Sequence, residues 1–146
     1  MEIYSIGFTK RSARDFFETI KTAGIRRLLD VRLNNSSQLA GFSKKDDLEY
    51  FLRSICDAAY LHDPDLAPTA ELLNRFKKEK SSTWDEYAAA FLTLMTSREI
   101  EKRLQPADFE TPTVLLCSEF EPDHCHRRLV LEYLQSKWGN LEIRHL

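Results

Sequence analysis

The chain has 146 residues, 42% hydrophobic and 30% charged, with a formal net charge of −2. That length fits one domain able to bury a core without disulfides, and the charge gives no global pull toward nucleic acid or anionic lipid. No apolar run approaches the ~20 residues of a membrane-spanning helix, "MEIYSIGF" lacks the features of a secretion signal, and three cysteines without a spaced framework point to a reducing cytoplasm.

"EIYSIGF" alternates in character and meets Gly7, which predicts a first strand. Ser12 with Asp15 three residues on suits a helix start. Phe16, Phe17 and Ile20 then give that helix an apolar stripe, and Gly24 is placed to stop it. "RRLLDVR" reads as a second strand, apolar on both faces as in a covered parallel sheet. "LNNSSQLAGFS" is loop chemistry, and Ser43 with Asp46 predicts another helix carrying Leu48, Phe51, Leu52 and Ile55. "AYLHD" is a brief third strand before Pro64.

From about Thr69 to Leu104 the pattern is helical, broken near "KSST", where Thr83 and Glu86 form a capping box. Trp84, Tyr87, Phe91, Leu94 and Met95 share a face there and read as core, with a cofactor or base-stacking platform as the minority reading. "TVLLC" is a fourth strand, a helix over 124–138 is stopped by Gly139, and "LEIRHL" closes the sheet. Strands alternating with helices predict a three-layer α/β/α domain over 1–146, with a mostly parallel sheet of about five strands and helices on both faces.

In open sheets of this kind ligands gather beyond the carboxyl ends of the strands. Gly7, Asp30, Arg32, His62, Cys117 and Glu119 all follow or end predicted strands. Asp30 and Arg32, two apart, project from one face. Within "LLCSEFEPDHCHRRLVLEYL", Asp123 is the expected N-cap, and Cys125, His126 and Arg127 fall in the first helical turn, where free amides and the helix dipole favour an anion. Two bland readings compete: Arg127 ion-paired internally with Glu119 or Asp30, and the cysteines as inert packing. Cys56, beside Ile55 and Ala58, reads as core.

Cys117, Glu119, Cys125 and His126 are permissible zinc or iron ligand types. Their spacing matches no paired-cysteine knuckle or H-E-x-x-H, and adjacent helical residues point about 100° apart, so no metal ligand is assigned, although a ligand set could still form because Cys117 and Glu119 come from a different element. A thiol at a helix N-terminus among cations is activated as a nucleophile; Cys125 fits that description better than Cys117, with His124 or His126 as acid or base.

"YSIGF", "LLDVR" and "LLCSEFEPDHCHRRLV" together resemble, in order along nearly the whole chain, the bacterial and archaeal family catalogued as domain of unknown function 488. The resemblance implies a single α/β domain whose motifs meet at one site, and it carries over to Gly7, Asp30, Arg32, Cys117, Glu119, Pro122, Cys125, His126 and Arg127. It brings no reaction. Many relatives resemble Gly-His-Ser after the first strand where this chain has Gly7-Phe8-Thr9, and carry a proline soon after the Asp-Val-Arg segment where this chain has "LNNSSQLAGF". A mechanism resting on that histidine cannot operate here.

The leading expectation is therefore a small enzyme or ligand-binding domain with a phosphate- or nucleotide-like anion site. Asp30, Glu119, Cys125 and His126 are its catalytic candidates, and Gly7, Arg32, Cys117 and Arg127 its binding candidates. The alternative is a non-catalytic module recognising nucleic acid or protein. The expected partner is an anionic small molecule or nucleic acid, with no membrane; the sequence names no cofactor and no oligomeric state.

Overall fold

The computed structural model describes residues 1–36 and 41–146. The first strand, β1 (Glu2–Gly7), leads into helix α1 (Ala13–Thr22), whose N-cap Ser12 accepts from the Asp15 amide as its sequence signals. Strand β2 (Arg27–Asp30) is shorter than the expected seven residues; beyond it the Val31 amide still bonds the Leu116 carbonyl of the neighbouring strand. The expected loop over 33–43 falls partly outside the described residues. Ser43 does not open the next helix: it ends a short 3-10 turn (Gly41–Ser43), and α2 (Lys45–Phe51) starts from Lys44 without a side-chain cap. A π-helical turn, Leu52–Cys56, carries the chain toward β3 (Ala59–His62).

The long helical stretch divides into α3 (Ala70–Lys77), α4 (Trp84–Ser97) and α5 (Ile100–Arg103). The first break leads to the predicted Thr83–Glu86 capping box. The second, at Glu99 in the left-handed region (φ 51°), carries no glycine or proline to announce it. Strand β4 (Thr113–Cys117), helix α6 (His126–Trp138) and strand β5 (Glu142–His145) complete the fold.

All five strands run parallel, in the order β3-β2-β4-β1-β5. Strand β4 is central and buried throughout, so its side chains feed two cores. Val114 and Leu116 join Phe16, Phe17, Ile20, Leu48 and Leu52 on the face covered by α1 and α2. Leu115 and Cys117 join Tyr87, Phe91, Met95 and Leu129 under α4 and α6. The predicted three-layer α/β/α arrangement is present. No helix among the described residues is long and apolar enough to cross a membrane.

Two adjacent strands, β1 and β4, send their following helices to opposite faces, which opens a crevice at their carboxyl ends. Gly7 is what lets the chain close over it. A Cβ there would overlap the Glu119 carbonyl oxygen and stand 2.5 Å from the carbonyl carbon and 3.1 Å from Phe120 Cα. Only glycine accommodates the loop that follows β4.

Candidate functional site

Asp30, at the end of β2, is fully buried, and so is nearly all of Arg32. Arg32 donates from Nε to Asp30 Oδ1 and from Nη2 to Oδ2, each at 2.8 Å, and its backbone amide adds a bond to Oδ1. Nη2 also donates to the Ser43 carbonyl, and the guanidinium lies over the Phe8 ring. Tyr60 donates to Asp30 Oδ2 at 2.6 Å and accepts from Asn35. Burial first, and the carboxylate second, push the Tyr60 phenol above its ordinary range. Both Asp30 oxygens are thereby engaged, and the bidentate pair fixes the plane of Arg32. One donor is left over: Arg32 Nη1 is buried and has no hydrogen-bond partner among the described residues.

Arg127 is fully buried without a carboxylate among its hydrogen-bond partners. Its guanidinium donates to the carbonyls of Glu119 and Phe120, and Nε to Ser5 Oγ. Ser5 Oγ, taking that bond, also shares a hydrogen bond with His145 Nδ1. The expected internal pairing of Arg127 with Glu119 or Asp30 is therefore corrected: it grips the backbone of the loop after β4, not an acid. The Glu119 carboxylate turns outward to Lys77 at 2.6 Å.

Helix α6 begins two residues later than the sequence predicts. Its N-cap is Cys125, not Asp123, with extended backbone (φ −130°, ψ 135°) and no side-chain capping bond. His124 is outside the helix and stacks on Trp84, ring centroids 4.9 Å apart. Because Cys125 is extended and His126 helical, the two side chains are not held 100° apart, and they converge with Cys117 from the end of β4. All three are buried, and their ligating atoms lie within 4.8 Å of one another. His126 Nε2 faces the Val31 carbonyl at 2.6 Å and must donate to it. Nδ1 is then the bare nitrogen, 3.5 Å from Cys117 Sγ. Hydrogen bonding from Cys125 holds the Cys117 thiol below its ordinary range against its burial, while burial pushes Cys125 well up.

These groups line one pocket of about 330 Å³ over the carboxyl ends of β2 and β4. Cys117, Cys125 and His126 share its wall with Arg32, Lys77, Lys78 and Asn74, and Phe76 and Tyr87 supply aromatic surface. Three cationic side chains on this lining face one carboxylate, Glu119. The Phe76 and Tyr87 rings stack with centroids 4.8 Å apart.

Of the sequence-derived candidates, Arg32, Cys117, Glu119, Cys125 and His126 therefore meet at one pocket. Asp30 stands behind Arg32, and Gly7 and Arg127 shape the loop from below without lining it. Tyr60 was not anticipated, although its signal is in the pairing: Asp30 lies opposite His62, so Tyr60 is diagonal to Asp30 on the same face. Lys77 carries no signal in sequence, since it looks like any helix-end lysine. Tyr87 was read as core; it is core and pocket wall at once.

The family model described as "Domain of unknown function DUF488" matches residues 12–134. No curated protein and no solved structure matches the chain.

Proposed function

The chain belongs to the domain of unknown function DUF488 family, and from its geometry we propose that the pocket is the active site of a small enzyme acting on a phosphate- or nucleotide-like anion. The observation that carries this reading is Arg32: a buried guanidinium, fixed by Asp30 and belonging to a residue of the pocket wall, with Nη1 lacking a partner among the described residues. Buried donors are nearly always satisfied, and an anionic oxygen is the natural acceptor for a guanidinium. Asp30 offsets the charge of Arg32, so the surplus that draws an anion comes from Lys77 and Lys78 at the rim, only one of which is met by Glu119. Asp30 is then a positioning residue, while Glu119 remains on the wall as the proton-transfer group. Buried sulfur and imidazole at a pocket wall support an enzyme over a docking module, whose surface needs neither.

Titration calorimetry of the whole chain with inorganic phosphate and with a nucleoside monophosphate tests the reading. Binding to the parent that weakens at least tenfold in Arg32→Lys, which keeps a charge but removes the fork, is expected. Since Arg32 also anchors Asp30, Lys78→Ala gives a second arm that leaves the fold intact, with a smaller weakening that added salt suppresses. No binding of either probe to the parent at low salt overturns the reading. Binding of oligonucleotides alone, falling steeply with salt, would instead favour the nucleic-acid module.

A further inference from the structure

We propose that Cys117, Cys125 and His126 form a three-ligand site for a divalent cation of the zinc class at the pocket wall, with the fourth position open to the pocket. The donor set is soft, two sulfurs and one imidazole, the combination that selects zinc among common divalent ions. Zinc–sulfur and zinc–nitrogen bonds of about 2.3 and 2.0–2.1 Å at a tetrahedral angle put sulfur and nitrogen about 3.5–3.6 Å apart; Cys117 Sγ and His126 Nδ1 stand 3.5 Å apart. The third donor, from Cys125, lies within 4.8 Å of both.

An independent observation points to the same ligand. Metal-binding imidazoles donate their other nitrogen to a carbonyl or carboxylate, which fixes the ring and leaves a lone pair for the ion. His126 is held this way: Nε2 donates to the Val31 carbonyl at 2.6 Å, which leaves the Nδ1 lone pair for an ion; Cys117 Sγ stands beside the ring, 3.5 Å from Nδ1 and 3.9 Å from Nε2, and would reach that ion by a turn of its side chain. The residue that makes this possible is Cys125 at the N-cap, because extended backbone there brings adjacent side chains to one point.

All three ligand residues line the pocket, so the site is of the open kind, in which water or substrate completes the coordination. Two thiolates neutralise a divalent ion. Arg127, buried with only carbonyl and hydroxyl partners, leaves a nearby positive charge, and an anionic fourth ligand would balance it. That last point rests on the proposed function; the metal site does not.

The test uses the untagged, reduced chain, stripped with a chelator and dialysed against zinc or cobalt(II). We expect one equivalent of metal by elemental analysis, and with cobalt a thiolate charge-transfer band and ligand-field bands of tetrahedral intensity. Cys117→Ser, Cys125→Ser and His126→Gln should each weaken binding at least a hundredfold, and Cys56→Ser should leave it unchanged. Should a variant misfold, alkylation of the parent serves instead: bound zinc must protect two of the three cysteines. Substoichiometric uptake by the parent overturns the inference. So does cobalt binding that survives Cys117→Ser, or a Cys117–Cys125 disulfide in protein prepared without oxidant. Apo protein that binds phosphate but no metal leaves the pocket reading standing; metal uptake without phosphate binding does the reverse.

Discussion

Gly7→Ala tests how the site is held together. The new methyl would overlap the Glu119 carbonyl oxygen, so the loop after β4 must lift away from β1. Four hydrogen bonds tie that loop down at this point: Thr9 N and Oγ1 to the Ser118 carbonyl, at 3.1 and 2.9 Å, and the Arg127 guanidinium to the carbonyls of Glu119 and Phe120. Hydrogen bonds to a charged group contribute about 1.5–3 kcal/mol each, so losing the two from Arg127 costs about 3–6 kcal/mol. At about 2–4 °C per kcal/mol for a domain near this size, Tm should fall by roughly 10 °C. Thermal unfolding followed by circular dichroism, with Gly24→Ala as comparison, reads the effect. Gly24 has φ +72° but open space around it, so its alanine variant carries only the left-handed backbone cost, about 1–2 kcal/mol. If Gly7→Ala loses no more stability than Gly24→Ala, the close approach is not what glycine is there for.

Tyr60→Phe removes the 2.6 Å bond to Asp30. It should cost about 1.5–3 kcal/mol in denaturant unfolding and weaken phosphate binding by loosening Arg32; unchanged values for both would refute the clamp. His145 gives a pH prediction. Desolvation first, then the Arg127 charge, lowers its pKa from 6.5, so the folded state binds a proton less readily than the unfolded chain. Stability from the Ser5–His145 bond is then fully present above about pH 6.5 and declines as pH falls through that value toward the lowered one. Melting temperatures of parent and His145→Gln should diverge above pH 6.5 and converge below it; parallel curves would refute the linkage.

The layers were legible because each strand carries a short apolar run and each long helix a stripe at helical spacing. Phe16, Phe17 and Ile20, for instance, could face only one way. The rim was legible because topology sends every strand end to one side. Partnerships were less so. Arg127 looked like half of an ion pair, since nothing in a sequence shows that a guanidinium will be met by backbone carbonyls. Glu99 breaks a helix from the left-handed region without a glycine or proline to announce it. Tyr60 required the β2–β3 register, which a one-residue slip would have reversed.

Cys125 is where sequence logic and structure part most instructively. A polar N-cap adds about 1 kcal/mol to a helix, with serine and aspartate among the best residues for it, and the sequence offers Asp123 two residues upstream. The chain instead caps α6 with a thiol that makes no capping bond. A residue that forgoes local stability at a pocket wall is expected to serve the pocket. Cys125→Ser separates the two roles. The hydroxyl can accept from the first-turn amides, so the metal-free variant should melt at least as high as the metal-free parent, by up to about 3 °C more. Zinc should raise the Tm of the parent, since it binds only the folded chain, and leave the variant unmoved. A variant that melts well below the metal-free parent would show Cys125 to be a packing residue, whose sulfur is fitted to the core and not to a ligand.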